Sequence, residues 1–176
     1  MEPARSAAAY AQYLQQKASI SGSKFSLMFF PGAFKKRFSS VSQKVIRNQN
    51  STDLEKALLF AVRKKFSVIY VLGATGGRID HELGNLSALV KFSKKAEVVF
   101  VDKFGEIRYI GRSRSLNIPD GTTLSLLPMT ACDGVSTEGL FWNLHNGRLR
   151  MGGKDSISNV AIKNEITIKV KRGDLL

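Results

Sequence analysis

Gly73-Ala74-Thr75-Gly76-Gly77-Arg78-Ile79-Asp80-His81-Glu82-Leu83-Gly84-Asn85 is the stretch on which the reading of this chain turns. It follows an apolar run, Val68-Ile69-Tyr70-Val71-Leu72, and opens a segment of helical period. Gly76 and Gly77 lack a Cβ, so the backbone there can take positive φ and come close to a ligand. Arg78 adds a planar fork of donors that suits phosphate. Asp80 stands where a helix N-cap or a metal ligand would stand, and His81 and Asn85, four residues apart, share one helix face. The spacing is neither that of a P-loop, which needs Lys-Ser/Thr after its last glycine, nor that of G-x-G-x-x-G. On local physics alone, a plain strand-to-helix turn explains the glycines as well as a phosphate site does.

Working outward, the flanking elements are clear. Thr52-Asp53-Leu54-Glu55 fits a capping box, and Leu54, Ala57, Leu58, Ala61 and Val62 form one apolar stripe, which predicts a helix. Arg63, Lys64 and Lys65 close it, where cations suit the negative end of the helix dipole. Residues 68–72 read as a strand covered on both faces. A helix over 80–94 follows with Leu83, Leu86, Leu89 and Val90 inward, then a buried strand over 98–101 ending at Asp102. Helix, strand, helix, strand argues for a parallel α/β layer. From Glu106 onward no helical period recurs. Candidate strands at 106–110, 115–118, 122–127, 140–144 and 166–170 alternate with turns such as Pro119-Asp120-Gly121, Asn146-Gly147, Gly152-Gly153 and Arg172-Gly173, as expected of a small β-sandwich. The boundary is expected near Lys103-Phe104-Gly105.

Upstream the composition shifts. Residues 1–50 carry eight Lys or Arg against one acid, Glu2, and no carboxylate side chain lies between Pro3 and Thr52. A short helix over 7–16 and a strand over 24–30 are expected, with Lys35-Lys36-Arg37 as a solvated loop. The whole chain of 176 residues bears a formal net charge of +13, so its surface attracts polyanions of some kind. With 43% hydrophobic and 23% charged residues it is not a disordered chain. The single cysteine, Cys132, excludes an intramolecular disulfide and a multi-cysteine metal site, and two histidines, His81 and His145, are too few for a zinc cluster. No run reaches the roughly 18 apolar residues of a membrane span, and the polar start lacks a signal-peptide core; a cytoplasmic protein is expected.

Four motifs, in order, carry a resemblance. Residues 73–86 resemble the signature of thiamine pyrophosphokinase, also called thiamine diphosphokinase. Gln49-Asn50-Ser51-Thr52-Asp53 resembles that family's Thr-Asp helix start. Val135-Ser136-Thr137-Glu138-Gly139-Leu140-Phe141-Trp142-Asn143-Leu144 resembles its Ser-Thr-x-Gly-Leu-x-Trp-x-Leu segment, and Ser156-Ile157-Ser158-Asn159 its Ser-x-Ser-Asn turn. The match spans roughly residues 48–176. It implies a divergent basic segment at 1–47, an α/β catalytic domain at 48–104 with a parallel, Rossmann-like sheet that is incomplete on its N-terminal side, and a thiamine-binding β-sandwich at 105–176. It further implies an enzyme that moves a pyrophosphoryl group from ATP to thiamine with Mg2+. Such family members work as homodimers with thiamine at the junction of domains and subunits.

Carried residue by residue, the resemblance assigns Asp53 and Asp80 to the metal, and Asp53, Arg78 and Asp80 to catalysis. Gly76, Gly77, Arg78, His81 and Asn85 go to ATP, with Asn85 orienting the nucleotide or Asp80. Trp142 is expected to stack on a thiamine ring, helped by attraction of a cation to an aromatic face, and Ser158 and Asn159 to hydrogen-bond the substrate. Each has a plainer explanation: Asp53 as a dipole-favoured helix start, Asp80 as an N-cap, His81 as a helix-surface residue, Trp142 as core, Asn159 as a turn residue. The family's Gly-Asp-x-Asp-Ser motif is not found; residues 31–40 are basic and aromatic instead. Two alternatives therefore accompany active thiamine diphosphokinase: a relative that binds thiamine or its diphosphate without turnover, and a basic nucleic-acid-binding protein.

Overall fold

The computed structural model describes residues 51–176. The basic segment 1–47, with its expected helix, strand and Lys35-Lys36-Arg37 loop, lies outside the described residues. The chain divides into two compact units, Met1–Arg108 and Tyr109–Leu176.

In the first unit, α1 (Asp53–Arg63) begins at a complete capping box. Glu55 N–H donates to Thr52 Oγ1 at 3.2 Å and Thr52 N–H to Glu55 at 3.4 Å, satisfying two of the orphan donors at the helix start. Leu54, Leu58 and Ala61 are its buried stripe. β1 (Val68–Leu72), α2 (Ile79–Ser93) and β2 (Glu97–Val101) follow, and β3 (Glu106–Arg108) returns along β2. β1 pairs parallel with β2, from Val68 opposite Glu97 to Leu72 opposite Val101, while β2 and β3 pair antiparallel. The described sheet is thus mixed, with one parallel pair. In β1, Ile69, Val71 and Leu72 are buried while Val68 and Tyr70 are half-covered.

One expectation fails in α2. Its buried residues are Ala88, Leu89, Val90 and Phe92, all in the C-terminal half. Leu86 is half-buried, and Leu83, expected inward, is 49% exposed. The apolar period continues toward the helix start, but among the described residues nothing covers that end of the stripe.

The second unit is all β. β4 (Ser113–Asn117), β9 (Glu165–Lys169), β6 (Cys132–Glu138) and β7 (Gly147–Leu149) form one sheet in that spatial order, and β5 (Thr123–Leu126) pairs with β8 (Ser156–Val160) in another. Leu126 from one sheet and Val135, Leu149, Ile166 and Ile168 from the other belong to a single buried cluster, the arrangement of a small sandwich. Full burial of each such side chain contributes about 1.5–3 kcal/mol.

β6, β7 and β8 occupy segments read from the sequence as motif or turn, and the expected strand at 140–144 is a loop with one isolated bridge, Leu140 to Ala161. The apolar run fails as a strand because side chains take its backbone groups. Asn143 Oδ1 accepts from Leu140 N–H, Thr137 Oγ1 from Leu144 N–H and Asn159 Oδ1 from Trp142 N–H.

Candidate functional site

In the first unit the glycine stretch runs from the end of β1 into α2, at the edge where parallel sheets commonly receive ligands. Gly73 and Gly76 both have positive φ, +76° and +85°. The loop is held from the helix side by Asn85, whose Nδ2 donates to Ala74 O at 2.8 Å. From the end of β2, Asp102 Oδ2 accepts from Thr75 Oγ1 at 2.9 Å. Asn85 thereby acts on the loop backbone. His81 stands exposed at the helix start.

The donors suited to phosphate are satisfied within the chain. Gly77 N–H donates to Glu82 Oε1 at 2.6 Å. Arg78 forks onto Asp80, with Nε and Nη2 at 3.1 and 2.7 Å from its two oxygens. Those hydrogen bonds hold the Asp80 carboxyl below its ordinary range. The helix N-cap is Arg78, not Asp80, which lies inside the first turn. There its carboxylate also meets first-turn backbone amides, and its charge sits at the positive end of the α2 dipole. Asp53 is the first residue of α1, one position nearer its cap than Asp80 is in α2; it is exposed and pairs with Lys56 at 3.0 Å. Both aspartates are hard oxygen donors of the kind magnesium takes. Among the described residues no group of three or more His, Cys, Asp or Glu side chains could hold a metal ion.

In the second unit the chain builds a stiff loop that presents two aromatic rings to solvent. Phe141 is 64% and Trp142 60% exposed, their rings edge to face at 4.7 Å. Trp142 is therefore not a core residue. Asn159, 2% exposed, clamps it: Oδ1 accepts from Trp142 N–H at 3.1 Å and Nδ2 donates to Trp142 O at 2.8 Å. The same amide bonds Val160 N–H and Ser156 Oγ. Its hydrogen-bonding groups are occupied inside the chain, so Asn159 holds the ring-bearing residue in place. Thr137, which is buried, takes Leu144 N–H, and half-buried Ser136 takes Asn146 N–H, closing the loop. Gly139 enters it at φ +84°, where an added Cβ would lie 2.7 Å from Glu165 O. These contacts account for the Ser-Thr-x-Gly-Leu-x-Trp-Asn pattern as loop-building chemistry.

Ser158 lies on β8, at a bulge in the pairing with β5. It is left-handed at φ +56°, and its N–H donates to Ser125 Oγ at 3.0 Å. The residue is exposed, and a bulge of this kind re-aims a side chain away from the regular strand alternation. Thr75, Glu82, Asp102, Thr137 and Asn143 were not singled out by sequence reasoning. Of these only Asp102 carried a signal, an acid at the end of a buried strand.

The fold places a glycine loop between strand and helix on an α/β unit and a pair of exposed aromatic rings on a β unit. A family model described as the thiamin pyrophosphokinase catalytic domain matches residues 33–101, and one described as its vitamin B1 binding domain matches residues 111–175. The first match begins upstream of the motifs recognised above. Thiamine pyrophosphokinase 1 of Oryza sativa subsp. japonica is 31% identical over 149 residues, covering 76% of this chain and 56% of the relative. Thiamine pyrophosphokinase of Bacillus subtilis (strain 168) is 29% identical over 132 residues, covering 73% and 62%. The crystal structure of thiamine pyrophosphokinase from Bacillus subtilis superposes with a TM-score of 0.69 at 26% identity, over 81% of this chain and 68% of that one. Thiamin pyrophosphokinase from Candida albicans matches in fold, with a TM-score of 0.69 at 16% identity over 96% and 77%. The chain belongs to the thiamine pyrophosphokinase family. It spans little more than half the length of the rice relative. No helix among the described residues is long and apolar enough to cross a membrane.

Proposed function

We propose that this chain is a thiamine diphosphokinase, transferring the pyrophosphoryl group of ATP to the hydroxyl oxygen of thiamine and releasing AMP. The observation that carries this reading is the succession of catalytic and vitamin B1 binding models along one chain. The glycine loop and the aromatic loop supply the matching chemistry. The parallel β1–β2 pair joined through α2 supports a Rossmann-like sheet as the frame of the ATP site. A homodimer in the cytoplasm is the state the family resemblance suggests, and the exposed Phe141, Trp142, Ile157 and Ile162 supply apolar surface for it.

In this reading the hydroxyl oxygen of thiamine bonds to the β-phosphorus as the bond between that phosphorus and the AMP oxygen breaks, and the hydroxyl proton leaves to solvent. Such a step depends on positioning and charge neutralisation more than on covalent catalysis by the protein. Arg78, released from Asp80, takes phosphate oxygens, and Gly76 and Gly77 allow close backbone approach, Gly77 N–H exchanging Glu82 for phosphate. Asp53 and Asp80 would hold Mg2+, which supplies Lewis-acid neutralisation of the phosphate charge when bound. His81 lies at the nucleotide side of α2, and Asn85 keeps the loop in shape. Trp142 stacks on a thiamine ring, Ser158 offers its hydroxyl, and Asn159 positions Trp142.

The test is AMP formation with thiamine, ATP and Mg2+ on the wild type and Asp80→Asn. Thiamine-dependent AMP that falls at least tenfold in the variant is expected. Its absence from the wild type at high protein concentration would remove the activity. A second reading, thiamine binding without turnover, is favoured by one observation: Asp53 and Asp80 are the only assigned metal carboxylates where the family motif has more. Calorimetric thiamine binding with no AMP would establish it.

A further inference from the structure

We infer that Asp102 is a positioning residue for the glycine loop, acting through the hydroxyl of Thr75. The inference rests on the reading of that loop as the ATP phosphate site. Both carboxylate oxygens of Asp102 are engaged, and they face different elements. Oδ2 accepts from Thr75 Oγ1 at 2.9 Å. Oδ1 accepts from the N–H groups of Phe104 and Gly105 at 2.7 and 3.1 Å. Asp102 N–H in turn donates to Gly105 O at 3.0 Å, so the turn between β2 and β3 fixes the carboxylate before it reaches the loop. Thr75 and Asp102 are each half-buried, and the bond spans 27 positions of sequence.

Thr75 sits between Ala74, whose carbonyl is held by Asn85, and Gly76, whose φ is +85°. A loop with three glycines, Gly73, Gly76 and Gly77, is otherwise free to sample many backbone states, each of which would misplace the Gly77 N–H and Arg78. A hydrogen bond to an ionised carboxylate is stronger than one between neutral groups, and Asp102 supplies one on the strand side of the loop. Asn85 supplies the restraint on the helix side. The pair thus sets where the phosphate-facing donors lie relative to the ends of β1 and β2.

The experiment compares wild type with Thr75→Val, Thr75→Ser and Asp102→Asn, the last of which keeps an oxygen for the Phe104 and Gly105 amides. Amide hydrogen exchange at Gly76 and Gly77 is measured in the nucleotide-free protein, and the affinity for Mg-ATP by calorimetry. Thr75→Val is expected to speed exchange and to weaken Mg-ATP about tenfold, the size of one lost charge-assisted bond. Thr75→Ser should stay within about twofold of wild type, and Asp102→Asn should fall between them. In steady state the Thr75→Val loss should appear in the KM for ATP, with kcat and the KM for thiamine nearly unchanged. Unaltered exchange in Thr75→Val, or a Thr75→Ser variant as weak as Thr75→Val, would overturn the inference. A wild type that binds no Mg-ATP would overturn the functional reading instead, with hydrogen exchange still deciding whether Asp102 holds the loop.

Discussion

Replacing Asn159 with Ala tests how the aromatic loop is held, and the chain provides its own probe, since Trp142 is the sole tryptophan. The substitution removes the acceptor for Trp142 N–H, the donor to Trp142 O and the acceptor for Val160 N–H, at 3.1, 2.8 and 2.9 Å. The fourth contact, to Ser156 Oγ at 3.3 Å, is the longest. Counting about 1 kcal/mol net for each of the three shorter bonds gives a loss of ~3 kcal/mol. Water entering the space left by the amide would recover part of it, so ~2–3 kcal/mol is the expected range. The assay is urea unfolding followed by Trp142 emission, with steady-state anisotropy of the native protein as the second readout. Anisotropy should fall because the ring loses its backbone clamp, while the emission stays that of a solvated indole. Asn159→Asp separates the roles of the amide: it can accept from Trp142 N–H but places a negative oxygen against Trp142 O. It should be at least as destabilising as Ala. A midpoint shift equivalent to less than ~0.5 kcal/mol with unchanged anisotropy would refute the clamp, since even one lost bond exceeds that.

Two further predictions concern the same two loops. Gly139→Ala must accommodate a Cβ 2.7 Å from Glu165 O at φ +84°, and should cost ~1–3 kcal/mol in urea unfolding; an unchanged midpoint would show that the loop entry is not constrained as described. Arg78→Gln removes the group that lowers the Asp80 pKa, so the carboxyl titration seen by NMR should move up toward its ordinary value. Because the folded value is depressed, the pair favours the folded state above the ordinary carboxylate pKa. That contribution is lost as pH falls through the folded value, and an Asp80 titration identical in both proteins would show the ion pair to be absent in solution.

The α/β half was legible because its signals are local. The Thr52–Glu55 capping box, the apolar run at Val68–Leu72 and the glycines after it each imply their structure within a few residues. The β half was legible only as a class. β6 covers Cys132–Glu138, a segment not among the expected strands, and Gly134 at φ +66° lies at a bulge that lets the strand continue. Conversely, Leu140-Phe141-Trp142-Asn143-Leu144 has strand composition and becomes a loop because Thr137, Asn143 and Asn159 outcompete a neighbouring strand for its amides. Those partners lie as far as 17 positions away, beyond any window of local pattern. For the site, the residues proposed to meet phosphate or a thiamine ring could be named from motifs. Asp102 could be noticed as an acid at a strand end, but its bond to Thr75, 27 positions away, depends on where the chain returns. Glu82 and Thr137 act only five and seven positions away, yet as ordinary helix and strand residues they carry no distinguishing pattern.

The place of β9 in its sheet has a consequence for how the second unit is made. β9 pairs on one side with Ser113–Asn117 and on the other with Ser136–Glu138, so both neighbours wait for Glu165–Lys169 before either has a partner there. Long loops must close before these contacts reward the chain, which makes assembly slow compared with α1 or α2. On the ribosome, β4 and β6 emerge with open edges on that side and stay so until Glu165–Lys169 has itself left the ribosome. That interval is when this unit is exposed to mispairing, and a chaperone or a slower translation rate would act on it there.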